Sequence, residues 1–590
     1  MTKLRNSPYN ADCPARVQRA VIKKKFPIFV AQTNVNQSDK TMQRLSFPFT
    51  LFFVFLFAGM QGPSRACTSV LVSAGASADG SVMTSWTYDV AGFMTPLYFY
   101  PGGQHEPGDS LDLYGYRDKQ YLGRVAQPRR TWKVVGNMNE HQVSIAETTF
   151  TGRRELHGGE GVFDYGNLIW TTLQRARTAR EAILIMDELA REYGYRDTGE
   201  SFSIADKHEA WILDFIGKGT HGPGAVWVAA RVPEGYIAAH ANQSRIRQVD
   251  WSDNDHWMWA EDVVDFAREM GWFDGRREEF SFADAYAPPT PRSLLLCESR
   301  VWSIFRRAAP SKGFSADYWR CVEGAEPYPL FVKPDEKISV EAMIAFHRDH
   351  FHDTPYYTGQ GIGAGPFNNP YRWRPVVFQL DGDETSYSWE RPISQPQTAF
   401  SFITQARSWL PDALGGIVWY GLDDNYSNAF MPLYQGMHTM PPSLTRGNPI
   451  EFDWDSSYWV FSLVANYAYG LYSHRIQDIQ QVQQEVERRA HVMVPAVDMA
   501  ARTLYETDPG IMADYLTDFS LNFAENTVEA WRQLGQKLFV KYNDGYIRET
   551  ESLTPWPGVL GYPQEFLRRA VDERPGYYDV RWRQPGEPVD

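Results

Sequence analysis

The residue of this chain best suited to chemistry is a cysteine that directly follows a signal-peptide pattern. Residues 47–60 form an apolar run of about 14 residues, which is too short for a membrane span and is typical of a signal-peptide core. Ser64 and Ala66 supply the small side chains that a signal peptidase recognises. Cleavage after Ala66 would make Cys67 the first residue. Its thiol would then be a nucleophile, and its α-amine, with a pKa of about 7.7–8.0, would be a base near neutral pH.

Two other interpretations of Cys67 stay open at this stage. One is an ordinary buried cysteine at the start of a strand. The other is a lipid-anchored surface protein that binds peptides or glycans through its many aromatic residues. Lipidation would consume the thiol and block the amine. Lipoprotein signals usually carry Leu at −3 and a small residue at −2, whereas this chain has Ser64 and Arg65 there.

Composition bounds the class of protein. The chain has 590 residues, 43% of them hydrophobic, which predicts a globular fold with a large core. Lys and Arg number 58 against 72 Asp and Glu, a formal net charge of −14. Because this field repels phosphate backbones, a nucleic-acid partner has no electrostatic support. We expect one elaborated domain rather than several.

Four cysteines are too few for a disulfide scaffold in a chain of this length. Export to an oxidising compartment would permit one bridge between Cys297 and Cys321. Two buried free thiols are the alternative.

The region after Cys67 is typical of short strands. Strands are predicted over 68–76 and 81–90, joined by a turn at Ala78-Asp79-Gly80. Further strands are predicted at 141–149, 201–205, 210–215, 225–232 and 236–241. A capping box at Thr178 and Glu181 begins a helix that Gly194 would end. Strands and helices in separate runs indicate the α+β class.

The C-terminal region has helical periodicity over 472–504 and 527–542. Asp508-Pro509-Gly510 is predicted to be a break between these two helices.

A series of short segments follows in order along the chain: Ala66-Cys67-Thr68, Ala78-Asp79-Gly80-Ser81, Met138-Asn-Glu-His141, Ile145-Ala-Glu-Thr-Thr149, Trp227-Val-Ala, Arg231-Val-Pro, Ala241-Asn-Gln-Ser-Arg-Ile246, His347-Arg-Asp-His350, Asp353-Thr-Pro355, Ala364-Gly-Pro-Phe367, Arg372-Trp373, Gln405-Ala-Arg407, Leu410-Pro-Asp412 and Gly415-Gly-Ile-Val-Trp419. In these segments the chain resembles the C69 dipeptidases, relatives of the choloylglycine hydrolases and penicillin V acylases. The resemblance covers residues 67 to about 473.

The resemblance implies the four-layer αββα sandwich of N-terminal-nucleophile hydrolases and the hydrolysis of dipeptides without a cofactor. We therefore expect the chain to divide into three segments: a leader at 1–66 that is removed, a catalytic domain at 67–473, and a mainly helical region at 474–590 that packs on the catalytic domain. Small peptides are the expected partners, with no stable membrane span after processing. A homo-oligomer remains an open alternative. An acylase of the same fold, acting on bile-salt, penicillin or acyl-lactone amides, is the enzymatic alternative.

The resemblance also assigns candidate site residues. Asp89 matches an Asp that positions the reacting cysteine or the substrate amine; a capping role is its alternative. The relatives often carry Arg three residues earlier, where this chain has Trp86, a candidate substrate-binding residue. A guanidinium role at that position is therefore absent or supplied elsewhere. Asn242 matches an oxyanion donor. Thr149 replaces an Asn found in the acylases, so a backbone N–H could serve there instead.

Glu147 is a candidate for binding the free ammonium group of a dipeptide, since recognition of an amine needs an acceptor. A solvated strand carboxylate is the alternative for this residue.

Two clusters suggest other chemistry. His347, His350 and His352 suggest a metal site, but their spacing is not i, i+4 and the relatives need no metal, so none is predicted. Asp423 and Asp424 suggest a glycosidase pair, but neighbours on a strand point apart.

The signal-peptide pattern and the resemblance together predict an exported cysteine-type dipeptidase, located in the periplasm or outside the cell.

Overall fold

The computed structural model describes residues 66–90, 97–549, 557–581 and Gly586. The predicted leader lies outside these residues, apart from the backbone of Ala66. The sheets and the C-terminal helices belong to one compact unit, residues 61–590. Within the described ranges, no helix combines the length and apolar character needed to cross a bilayer.

The nucleophile candidate lies near the start of an interior strand of a seven-stranded antiparallel sheet. In this first sheet Cys67 pairs with Tyr88 of the neighbouring strand. The strand order is Phe331–Val332, Ile237–His240, Ala66–Val72, Val82–Asp89, Thr398–Ala406, Gly416–Leu422 and Met431–Tyr434.

A second sheet has eight antiparallel strands and lies against the first. Its strand order is Trp257–Trp259, Ala225–Arg231, Ala210–Gly217, Gly199–Ala205, Ser144–Thr151, Met138–Asn139, Val134–Val135 and Phe99–Tyr100. Four two-stranded pairs lie outside the sheets: Gly103–Gln104 with Arg130–Thr131, Ser110–Tyr114 with Tyr121–Ala126, Val377–Gln379 with Ser386–Ser388, and Tyr546–Ile547 with Gly558–Val559.

Buried hydrogen bonds fix the two sheets relative to each other. The imidazole of His240, on the first sheet, is 2.7 Å from the hydroxyls of both Thr148 and Ser203 on the second. Burial lowers the pKa of His240 to about 3, so the ring is neutral and can donate one bond and accept the other. This contact fixes the strand Ser144–Thr151 opposite the strand that carries Cys67.

The predicted strands are confirmed, with ends that shift by a few residues. The first strand ends at Val72 rather than at residue 76, because Ala74–Ala76 turn into a short 3-10 helix. The connection to the next strand is therefore longer than a two-residue hairpin turn. Gly80 has a φ of 84°, a backbone conformation that residues with a side chain rarely adopt.

The capped helix is also confirmed. It spans Ala179–Tyr193, and the Thr178 hydroxyl accepts a hydrogen bond from the Glu181 N–H. The Glu181 carboxylate accepts from the N–H of Arg177 rather than from that of Thr178. Gly194 follows at a φ of 79°, so the predicted stop is correct.

Most of the α-helices lie in the second half of the chain. The α-helices are Tyr165–Leu173, Ala179–Tyr193, Val263–Glu269, Phe282–Tyr286, Pro291–Ser293, Ser299–Ala308, Val340–His347, Asp412–Gly415, Ser457–Tyr469, Tyr472–Thr507, Pro509–Lys541 and Gln564–Glu573, with a π-helical turn at Leu294–Glu298. Helices contact both sheets. The α+β class is thus confirmed.

Two long helices form the C-terminal region. The break at Asp508 is confirmed, but the helix after it begins at Pro509, much earlier than the predicted residue 527. Its apolar residues face both the preceding helix and the strand Met431–Tyr434, so its periodicity is less regular than that of a one-sided helix. The predicted boundary at 473/474 falls inside the helix Tyr472–Thr507.

Cys297 and Cys321 are both free thiols. Cys297 is buried and Cys321 is exposed. The bridge considered from the sequence is therefore absent from the described residues, and only one of the two thiols is buried.

Candidate active site

Cys67 lies at the point where the two sheets meet, held by contacts to distant segments. Its backbone N–H donates to Oδ1 of Asn242 at 2.9 Å, and its Sγ is 3.9 Å from Oε1 of Glu147. The side chain is 1% exposed. Because Ala66 precedes Cys67 in the strand, the Cys67 nitrogen is a peptide N–H and not an amine.

The turn after the strand Ile237–His240 positions Asn242. Asn242 has a φ of 62°, a left-handed conformation that asparagine tolerates better than most residues. The buried carboxylate of Asp214 holds the turn by accepting bonds from the Ser244 hydroxyl and from the N–H groups of Arg245 and Ile246.

Asn242 and Thr149 are in direct contact. Asn242 Nδ2 donates to the Thr149 carbonyl at 2.8 Å, and the Thr149 hydroxyl donates to Oε2 of Glu147 at 3.4 Å. The amide nitrogen of Asn242 carries two hydrogens, so one remains for a second acceptor. The strand Ser144–Thr151 therefore brings both Glu147 and Thr149 to the cysteine.

The thiol of Cys67 is neutral in this environment. Burial raises its pKa well above the usual value, and the charges of Glu147 and Asp89 raise it further. The backbone N–H of Asp89 and the indole of Trp86 act in the opposite direction. A thiolate here needs an additional positive charge nearby.

Asp89 is fully buried at the end of the strand next to Cys67. Its Oδ1 accepts a 2.7 Å hydrogen bond from the Thr398 hydroxyl. Burial raises its pKa to about 6, although the Thr398 bond and the charges of Arg391, Arg300 and Arg374 lower it. Oδ2 has no hydrogen-bond partner within the described part of the chain. A buried carboxylate oxygen that receives no hydrogen bond is suited to accept one from a substrate or from an amine.

Trp86, the other residue assigned near Asp89, lies in an aromatic cluster. Its ring meets those of Tyr88, Phe400 and Phe402 edge-on, with centroids 5.0, 5.4 and 5.9 Å away. It is fully buried. Its contribution to the site is an indole N–H near the thiol and a rigid wall behind the nucleophile.

Arg300 is a central residue of the site that the sequence did not single out. It is fully buried and donates to the carbonyl of Cys67 at 2.5 Å and to Oδ1 of Asn242 at 2.9 Å. It also donates to the Thr68 hydroxyl and to the carbonyls of Ala241 and Leu296. The signal was an arginine on the apolar face of a helical pattern, between Leu296 and Ile304.

Arginines from other segments of the chain supply positive charge near Asp89, where the relatives often have an arginine at the position of Trp86. Arg300, Arg374 and Arg391 all act on Asp89. They come from a helix and from two loops far along the chain, so no local spacing revealed them.

A cavity of about 540 Å³ lies next to these residues. Thr149, Asn242 and Arg391 contribute to its wall, together with Phe150 and Leu296. Arg153, Arg154 and Arg292 also line it, and the remaining lining residues are Thr151, Gly152, Glu155, Gln243, Ala287, Pro288, Thr290, Ser293 and Cys297. Mixed apolar and cationic walls suit a small, partly charged ligand.

The histidine cluster and the pair Asp423 and Asp424 are not among the residues that line this cavity. Among the described residues, no three His, Cys, Asp or Glu side chains are grouped to hold a metal ion. Burial lowers the pKa of His347 to about 3.

The adjacent acids Asp423 and Asp424 organise a loop. Asp424 accepts from the hydroxyls of Tyr371, Ser427 and Tyr469, which leaves it little capacity for acid–base work.

The family is defined by a sequence match. The model of peptidase family C69 matches residues 113–485, so the chain belongs to this family and is a hydrolase that acts on peptide bonds. The resemblance deduced from the motifs is confirmed. The matched region contains Glu147, Thr149, Asn242 and Arg300, whereas Cys67 precedes it.

Curated relatives align over most of the chain. A probable dipeptidase of Salmonella dublin is 26% identical over 418 residues, 67% of this chain and 87% of the relative. Dipeptidase A of Lactobacillus helveticus is 23% identical over 423 residues, 68% of this chain and 81% of the relative. A dipeptidase of Bifidobacterium longum is 24% identical over 476 residues, 73% and 83% respectively.

Proposed function

We propose that the chain is an exported cysteine-type dipeptidase in which Cys67 becomes the N-terminal nucleophile. The observation that carries the proposal is the contact of the Cys67 nitrogen with Asn242, beside a thiol that faces Glu147. Nitrogen and sulfur of one residue are thus both in contact with residues from distant segments of the chain. The relatives named dipeptidases support the substrate class.

Removal of the leader supplies the base. The Cys67 nitrogen becomes an amine beside Oδ1 of Asn242. Oδ2 of Asp89, which has no hydrogen-bond partner within the described residues, is the proposed acceptor for its added hydrogens. The amine takes the thiol proton, and the resulting ammonium stabilises the thiolate that burial alone disfavours.

The reaction then follows two steps. The thiolate attacks the peptide carbonyl, and the ammonium returns its proton to the leaving amine as the C–N bond breaks and a thioester forms. The amine next removes a proton from water, whose oxygen attacks the thioester and releases the first amino acid and the thiol. The second hydrogen of Asn242 Nδ2 is available for the oxyanion of each tetrahedral intermediate.

Glu147 is proposed to bind the substrate ammonium. Its Oε1 is 3.9 Å from Sγ, and in a dipeptide the ammonium is two bonds from the carbonyl carbon that sulfur attacks. Because the carboxylate is buried, an ion pair there is stronger than one at the surface. Such a contact favours a free amine over the neutral acyl group of an acylase substrate.

The fold is proposed to be the αββα sandwich of N-terminal-nucleophile hydrolases. Two antiparallel sheets that face each other, both in contact with helices, support this assignment. Export and cleavage after Ala66 are supported by the apolar run at 47–60 and by the small residues before Cys67. A periplasmic or extracellular location follows from them.

The test combines intact mass, N-terminal sequencing and activity on protein from the exporting cell. We expect a mature chain that begins Cys-Thr-Ser-Val, hydrolyses dipeptides and loses activity in Cys67→Ala. Cys321→Ala is the matched control, because its thiol is exposed and free, and it should remain active. An acylated Cys67, a mature start elsewhere, or an active Cys67→Ala would refute the mechanism.

A further inference from the structure

The region around Asp89 contains more positive than negative charge. Arg300, Arg374 and Arg391 are close enough to repel one another, and Asp89 is the carboxylate that they share. Every hydrogen bond recorded for Arg300 goes to an uncharged oxygen, so none of these bonds neutralises its charge.

Two donor nitrogens of Arg374 lack an acceptor among the described residues. Its Nε and Nη2 are shielded from solvent and, within the described part of the chain, have no hydrogen-bond acceptor. Buried guanidinium nitrogens are normally satisfied, and leaving them without an acceptor is costly. An orphan pair of donors on one guanidinium matches the two oxygens of a carboxylate.

The cluster is continuous with the cavity beside the nucleophile. Arg391, 3% exposed, forms part of the cavity wall with Thr149 and Asn242. Arg292 is on the exposed rim of the same cavity and interacts electrostatically with Arg374. A ligand in the cavity therefore meets the guanidinium groups of Arg292 and Arg391. It also meets Asn242, which contacts Cys67.

We propose that Arg374 and Arg391, assisted by Arg292, bind a substrate carboxylate and so select peptides that carry one close to the scissile bond. This inference rests on the proposed dipeptidase function and adds its specificity. In a dipeptide the terminal carboxylate is only one residue beyond the scissile carbonyl, about 3.8 Å between Cα atoms. An acid for the ammonium and guanidinium groups for the carboxylate, both beside one nucleophile, fit a zwitterion of that length.

The carboxylate has two sources, the C-terminus and an acidic side chain. Three substrates distinguish them: Ala-Ala, Ala-Ala amide and Ala-Asp amide. Loss of a buried charged contact predicts that the mature enzyme has a kcat/KM for Ala-Ala about 30-fold or more above that for its amide. If the side chain is the bound group, Ala-Asp amide is instead the best of the three.

Arg374→Gln should reduce this preference towards one, mainly through KM, and Arg374→Lys should restore part of it by restoring the charge. Arg292→Gln, at the exposed rim, should weaken the preference without affecting folding. Arg276→Gln is the control, because this exposed arginine pairs with Glu279 away from the cavity. It should keep the full preference.

Two failures are distinguishable. Equal kcat/KM values for all three substrates in the wild-type enzyme would overturn the carboxylate site and leave the dipeptidase intact. No cleavage of any of the three, or of other dipeptides, would overturn the proposed function itself. A full preference in both Arg374→Gln and Arg292→Gln would assign the selectivity to other residues and reject this inference.

Discussion

The backbone nitrogen of Cys67 donates to the side-chain oxygen of Asn242 although 175 positions separate the two residues. This bond joins the first strand to the turn that follows the neighbouring strand of the same sheet. Under the proposed processing, the nitrogen that would become the amine therefore already contacts Asn242 in the unprocessed chain.

Asn242 should be required for efficient catalysis. We expect Asn242→Ala to lower kcat/KM by about 10²–10³, because an oxyanion donor and the acceptor for the Cys67 amine are both lost. Asn242→Gly is the matched control, since glycine accepts the left-handed φ of 62° at this position without strain. If activity loss comes from the side chain, steady-state kinetics will show both variants equally impaired, while urea unfolding shows glycine as the more stable of the two.

Arg300 should be required for the stability of the site. Arg300→Met removes a donor from at least four buried oxygens, and we expect the free energy of unfolding to fall by about 3–5 kcal/mol. Arg306→Lys on the same helix is the control and should change it by no more than about 1 kcal/mol. Equal losses in the two variants, measured by urea unfolding, would argue against this role.

Asp89 should make stability depend on pH. Its pKa is about 6 in the folded chain, against about 3.9 for an unfolded aspartate. Between these values the folded state holds a proton that the unfolded state has lost, so stability from this group is full below pH 4 and is lost as pH rises through 6.

Asp89→Asn removes this titration. The free energy of unfolding of wild type minus that of Asp89→Asn should therefore fall from pH 4 to 6 and level off above about pH 7. Denaturant unfolding at four pH values measures this difference. A difference that stays flat or rises across the window would contradict the raised pKa.

Cysteine labelling should depend on processing. In the unprocessed chain, iodoacetamide should modify the exposed Cys321 and leave Cys67 intact, because Cys67 is 1% exposed and its thiol is neutral. After leader removal Cys67 should become reactive and activity should be lost with its modification. Buried Cys297 is the internal control and should stay unmodified in both forms. Peptide mass spectrometry that finds Cys67 labelled before processing would show that the thiol is already open.

The junction of the long C-terminal helices offers a test outside the active site. Asp508 caps the second helix by accepting from the N–H groups of Gly510 and Ile511. We expect Asp508→Ala to cost about 1 kcal/mol of stability without changing kcat/KM. Asp518→Ala, exposed in the middle of the same helix, should leave both quantities almost unchanged. A large activity loss in Asp508→Ala would mean that this region contributes to catalysis.

Local patterns predicted the elements well but did not reveal all the residues of the candidate site. The strands and the capped helix Ala179–Tyr193 follow from periodicity and turn residues, which act over a few positions. Glu147 and Asn242 were found through the resemblance. The sequence did not single out Arg374 and Arg391 as site residues. Both approach Asp89 because loops far along the chain lie near the end of its strand, and no residue spacing in the sequence indicates that proximity.

Ala66 is already part of the first strand, where its backbone pairs with Asp89. A leader peptidase must hold its substrate as an open, extended segment, and a bond between two residues of a paired strand is not available in that form. If the proposed leader is removed by such an enzyme, cleavage therefore has to occur before this strand is incorporated in the sheet. A molecule that folded first would then keep its leader, and the yield of active enzyme would depend on the relative rates of export and folding.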